Sequence, residues 1–137
     1  MGLVQNIVRK RLIKDFDKRK QILNNNGESE ELYLNFDSID FSFKELRNSD
    51  FLKDWFVYNL PYFNASSENN LIIREDFKFL KSTIKKALKL TFEQASEIFS
   101  ELEEDSYKEE FIDVLEMIDE ALSFNDEENE FYYSFYY

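Results

Sequence analysis

The seven residues Phe131-Tyr132-Tyr133-Ser134-Phe135-Tyr136-Tyr137 hold six aromatic rings, and no other segment limits the fold as much. Ring-rich sequences suit the pleated, half-buried surface of a strand. Left as an open edge, such a strand would template aggregation, so it has to be paired and covered on at least one face. Alternation sends Phe131, Tyr133 and Phe135 to one side and Tyr132 and Tyr136 to the other. One side is core, and the other is open to core or to contact, because tyrosine is enriched in interface hot spots. Near the start, Leu3, Val4, Ile7 and Val8 permit either a short strand or a helical turn, and periodicity over so few residues does not decide between them.

The 137 residues are the size of one domain, residues 1–137, able to bury about two thirds of the surface of the unfolded chain. Hydrophobic residues make up 43% and aromatic residues 18% against 34% charged, which is too apolar for a disordered chain in spite of a net charge of -12. Fifteen Phe and eight Tyr predict a core built largely from rings. The chain has no Cys and no His. That removes disulfides, thiolate metal sites, cysteine nucleophiles and the commonest general base, and it predicts an intracellular, cytoplasmic protein that is not an enzyme. No apolar run has the length of a signal peptide core or of a membrane span.

Charge is distributed unevenly. Of 29 acidic residues, 16 follow Thr91, where the only basic residue is Lys108; the first 23 residues hold seven basic positions (Arg9, Lys10, Arg11, Lys14, Lys18, Arg19, Lys20) against Asp15 and Asp17. A basic N-terminal arm therefore precedes an acidic last third. Asn24-Asn25-Asn26-Gly27 reads as a turn after the arm, since Asn and Gly tolerate the left-handed backbone.

Residues 32–43 alternate as Leu32, Leu34, Phe36 and Ile39, Phe41, Phe43, the period of a half-buried strand, with a turn or bulge at Asp37-Ser38. Asn48 or Ser49 is placed to cap a helix running to about Asn59, with Phe51, Leu52, Trp55 and Phe56 on one face and Pro61 ending it. After a polar loop over 62–70 and a brief extended Leu71-Ile72-Ile73, Glu75 and Asp76 open a helix closed by Lys85, Lys86 and Lys89, matching the macrodipole at both ends. Its buried stripe is Phe77, Leu80, Ile84 and Leu88; Lys78, Lys81, Lys85 and Lys89 form a solvated line. A further helix over about 92–102 turns Ala95, Ile98 and Phe99 inward. With Ser106 as cap, the last helix, about 107–124, buries Tyr107, Phe111, Val114, Leu115, Ile118 and Leu122.

The outer side of that last helix carries Glu109, Asp113, Glu116 and Glu120 along one line. These four residues are the candidate partner-binding site. The line covers about 16 Å at 1.5 Å per residue, where duplex DNA would show about nine charges; nucleic-acid mimicry would need the acidic segments 101–105 and 126–130 to lie alongside it. Segment 126–130 lacks the Gly and the ligand spacing of a calcium loop and reads as a solvated turn, so neither metal nor cofactor is expected. Direct binding of nucleic acid through the arm would work against the net negative field.

Three islands carry a family resemblance: Met1-Gly2-Leu3 with Arg9-Lys10-Arg11; Leu46-Arg47 followed by Trp55-Phe56-Val57-Tyr58-Asn59; and Phe131-Tyr132-Tyr133-Ser134. In order and rough spacing they resemble a family of small phage and prophage proteins of unknown function. Where that family places a His before the Trp-Phe pair this chain has Lys53-Asp54, and where a Trp precedes the Arg it has Leu46. The resemblance implies an α+β domain in which the first and last segments are neighbouring strands, here a small antiparallel sheet packed with about four helices. Its phage setting implies a non-enzymatic accessory protein acting in the host cytoplasm. Such a protein would bind and inhibit a host protein with a basic surface, one that handles nucleic acid or serves defence. The alternative is a small nucleic-acid-associated factor that uses the basic arm.

Overall fold

The structure, a computed structural model, describes residues 2–12 and 38–137. Among the described residues, four strands and four helices follow in the order β1 (Val4–Leu12), β2 (Ser38–Arg47), α1 (Asp50–Asn59), β3 (Asn70–Ile72), α2 (Arg74–Ala87), α3 (Phe92–Ile98), α4 (Tyr107–Leu122) and β4 (Asn129–Tyr136). The fold is α+β. Lys14, Lys18, Arg19 and Lys20 of the basic arm, the turn over 24–27, and the strand positions Leu32, Leu34 and Phe36 lie outside the described residues.

The sheet is antiparallel with strand order β2-β1-β4-β3. The ring-rich β4 sits inside it, running from Val4 opposite Tyr136 to Arg11 opposite Asn129 on one side. On the other side it pairs with β3, Asn70 to Ile72 opposite Tyr133 to Phe131. The expected pairing of the first and last segments holds: β1 covers one side of β4 along its whole length, and β3 closes the other from Phe131 to Tyr133. β2 completes the sheet with a register shift opposite Ile7 and Val8 that leaves Phe43 as the extra residue. That bulge resets the side-chain alternation, so Ile39, Phe41 and Phe43 are followed on the inner face by Leu46 at a spacing of three.

All four helices contribute to one core on the inner face, with Ile7, Ile72, Phe131 and Tyr133 reaching it from the sheet. Its rings meet mostly edge to face: Phe51 lies 5.6 Å from Phe99 and 5.1 Å from Phe111, and Phe77 lies 5.5 Å from Phe131, the arrangement that the ring quadrupoles favour. α1 buries Phe51, Leu52, Trp55 and Phe56 and stops at Leu60, whose extended backbone is what a residue before proline adopts. In α2, Phe77, Leu80, Ile84 and Ala87 form the buried stripe, with Leu88 half-buried.

Three local expectations need correcting. Neither Asn48 nor Ser49 caps α1 through its side chain: both residues are left-handed, with φ of 65° and 53°. The Ser49 hydroxyl donates instead to Glu110 of α4 at 3.0 Å. α3 ends at Ile98, well short of residue 102, and Phe99 takes an extended backbone with φ -117° and ψ 127°. Phe99 therefore fills the inward position while Ile98 stays 36% exposed. In α4 the buried stripe includes Met117 and Ala121, while Leu115 and Leu122 are only half-buried.

Candidate functional site

α4 forms because Tyr107, Phe111, Val114, Met117, Ile118 and Ala121 recur at three and four residue steps and bury one stripe. Glu109 and Glu110 in its first turn complement the positive end of the helix dipole. The opposite end has no basic residue of its own in the last turn. Arg74, the first residue of α2, supplies the cation: its guanidinium donates to the carbonyls of Leu122 at 3.0 Å and Phe124 at 3.5 Å. Removing a cation that also satisfies helix-end carbonyls costs about 1–2 kcal/mol. Arg74→Met is expected to lower the urea midpoint accordingly and to speed amide exchange in the last turn of α4; exchange unchanged there would assign that helix end to packing alone.

Glu109, Asp113, Glu116 and Glu120 are all exposed along the outer face of α4. Towards α2, Asp119 accepts from Lys81 at 2.6 Å, so one member of the lysine line is drawn into an ion pair while Lys78, Lys85 and Lys89 remain exposed. Towards β2, Asp113 and Glu110 share a depression with Lys44 and Arg47, and Arg47 pairs with Glu45 at 3.0 Å. The acidic line thus has cationic neighbours on either flank. Segments 101–105 and 126–130 sit beyond the two ends of α4, 16 residues or about 24 Å apart along the helix.

A cleft of about 280 Å³ lies between the start of α2 and the end of α4, lined among others by Ile73, Arg74, Leu122, Phe124 and Phe131. The sequence gives no sign of it, because its walls come from segments about fifty residues apart. A second groove lies between α1 and α3 and includes Trp55, Tyr58 and Ile98, with Asp54 accepting from Ser100 at 2.6 Å. Within the Trp-Phe-Val-Tyr-Asn island, Trp55 and Phe56 are core, Asn59 donates to the carbonyl of Trp55 at 2.9 Å, and Tyr58 is 89% exposed. Lys53, two residues before Trp55, donates to Tyr137 at 2.9 Å and lies 5.6 Å over the rings of Phe135 and Tyr137.

Arg9, Lys10 and Arg11 belong to β1, an interior strand. The Arg9 guanidinium lies 4.6 Å from the ring of Phe41 and 4.4 Å from that of Phe124, and it donates to Asn129 at 2.7 Å. Burial, with repulsion from Arg11, lowers its pKa from the ordinary value. Lys10 lies 4.8 Å over the ring of Tyr132 on the other face, where the Tyr132 hydroxyl donates to Glu130 at 2.6 Å.

A buried polar network escaped the sequence reading entirely. Gln5 and Tyr133 are both fully buried; the Tyr133 hydroxyl donates to Gln5 Oε1 at 2.6 Å, and Gln5 Nε2 donates to the carbonyls of Asn48 and Ser49. The network fastens the left-handed joint between β2 and α1. The Asn48 amide also donates to the Leu3 carbonyl at 2.7 Å, and Gly2 lies so close that a Cβ there would come within 2.7 Å of Asn48 Oδ1. Asn70 plays a similar part for the loop before β3, donating to the carbonyls of Asn64, Ser67 and Tyr133 and accepting from the Asn64 amide.

Among the described residues, no group of three or more carboxylates is gathered as a metal site, and no helix is long and apolar enough to cross a membrane. Comparison with family models, with curated proteins and with solved structures gives no match in any of the three.

Proposed function

We propose that this is a phage-encoded accessory protein of the host cytoplasm. In this reading it is not an enzyme; it binds and inhibits a host protein that handles nucleic acid, such as a defence protein, through its acidic surface. The observation that carries the reading is the line Glu109, Asp113, Glu116 and Glu120, all exposed on a helix whose other side is core. The acidic segments 101–105 and 126–130 flank α4 in the chain, and the resemblance of the three sequence islands to small phage proteins supplies the setting. With about four charges over 16 Å against about nine on duplex DNA, the strip matches a basic protein surface better than it imitates a nucleic-acid backbone. The alternative, a nucleic-acid-associated factor using the basic arm, draws less support, because Arg9 to Arg11 are built into an interior strand and Arg9 is held between two rings.

Exposed charges add little to stability, so the variant Glu109→Gln, Asp113→Asn, Glu116→Gln, Glu120→Gln is expected to keep its thermal midpoint. Charge at the rim of an interface acts chiefly on the encounter rate. Against a partner isolated by affinity capture from host lysate, the variant should associate more slowly. It should also lose most of the difference in affinity between about 50 and 300 mM salt, a range over which screening shortens markedly. Equal affinities for parent and variant, or a parent interaction indifferent to salt, would reduce the strip to a solubilising surface.

A further inference from the structure

The cleft between the start of α2 and the end of α4 has a floor of Ile72, Phe77, Ala121 and Phe131, none more than 6% exposed. Its lip is also apolar, with Leu71 and Ile73 standing 43% and 46% exposed. Glu75 and Asp126, both exposed, line the same opening. They outnumber the single cation there, Arg74, whose guanidinium is already engaged by the carbonyls of Leu122 and Phe124. A concave apolar seat ringed by carboxylates is suited to a ligand that is apolar at its tip and cationic around it. Its 280 Å³ lies at the small end of ligand pockets, room for one large side chain.

An acidic strip alone steers encounter without holding a complex; lasting affinity comes from an anchor desolvated in a pocket and ringed by polar contacts. We infer that this cleft receives an aromatic or branched aliphatic side chain carried on a lysine- or arginine-rich segment of a protein partner. The inference rests on the acidic-surface reading and adds the anchor that the reading lacks. The rim carboxylates select the basic flanks, and the floor selects the apolar tip. A purely cationic segment would leave the floor unfilled, and an apolar tip with acidic flanks would be repelled at the rim.

The test uses the isotope-labelled full chain and three probes: acetyl-Lys-Lys-Trp-Lys-Lys-amide, its Ser-centred analogue, and acetyl-Glu-Glu-Trp-Glu-Glu-amide. With the Lys-Trp peptide, backbone amide resonances of residues 72–75 and 122–131 are expected to shift and saturate. The Ser analogue should bind about tenfold more weakly, the scale of one buried apolar side chain, and the acidic peptide should leave the cleft unmoved. Leu71→Ser/Ile73→Ser removes the lip while placing a favourable residue at the N-cap of α2, so the fold is kept and the Lys-Trp peptide should again weaken about tenfold. The inference is overturned if Trp and Ser peptides shift only residues 109–120, if the acidic peptide binds the cleft as well as the basic one, or if the double Ser variant binds like the parent. Cleft shifts with a silent α4 line would uphold the anchor and reject the acidic-strip reading; α4 shifts with a silent cleft would do the reverse.

Discussion

Tyr133→Ala is expected to cost about 5 kcal/mol of stability, a large part of what a protein of this size possesses. Two separate losses combine. The ring is fully buried, 4.3 Å from Phe56 and 6.2 Å from Phe63, and truncating an aromatic ring at such a site removes about 3–5 kcal/mol. The hydroxyl is the donor to Gln5 Oε1, and leaving that buried acceptor unmet adds about 1–3 kcal/mol. Tyr133→Phe separates the two, since it keeps the ring and loses only the second amount. Urea unfolding of parent, Phe and Ala variants should give midpoints that fall in two steps, the Ala step the larger. A Phe variant as stable as the parent would mean that Gln5 finds another donor, and that the joint at Asn48 and Ser49 stands without the tyrosine.

Tyr133 also marks the boundary of what the sequence discloses. That the terminal rings form a strand, that Phe131, Tyr133 and Phe135 share a face, and that this strand needs a partner all follow from composition and a period of two. α2 and α4 are equally legible, because their apolar residues recur at helical spacing and their outer faces are charged. Gln5 is not. A glutamine between Val4 and Asn6 carries no local sign that it will be fully buried, since its partners are a hydroxyl 128 residues away and carbonyls 43 and 44 residues away. The same holds for Arg74, which closes a helix 48 residues later in the chain, and so for the cleft beside it. Ile98 was misplaced for a different reason: three residues after Ala95 it satisfies the helical period, but α3 stops there and the extended Phe99 takes its place in the core. The four carboxylates of α4 were legible as an exposed line; the cationic neighbours on their flanks were not, because Lys44, Arg47 and Lys81 come from other elements.

The second large effect is expected in alkali. Burial, followed by the nearby negative charge of Asp54, raises the pKa of Tyr133 far above that of a free phenol. In the unfolded chain the hydroxyl ionises near pH 10. Below that pH both states are neutral and Tyr133 gives stability no pH dependence. Above it the unfolded chain releases the proton and the folded protein retains it, so the unfolded state binds fewer protons and stability falls as pH rises, by about 1.4 kcal/mol per pH unit. The fall continues until the folded pKa is reached. By pH 12 the loss assignable to Tyr133 amounts to about 2.7 kcal/mol. Tyr132, whose pKa is raised by burial and by its bond to Glu130, acts in the same direction, but its half-exposed position leaves it a smaller share. The informative quantity is the difference between parent and Tyr133→Phe across pH 8 to 12, in which contributions common to both proteins cancel. At pH 8 the parent should be the more stable by about 1–3 kcal/mol; the gap should close above pH 10 and vanish near pH 12, because the Phe variant has no phenol to ionise on unfolding. Parallel curves over the whole range would show that Tyr133 ionises as easily folded as unfolded, which requires water at Gln5 and would dissolve the argument that the β2–α1 joint is sealed.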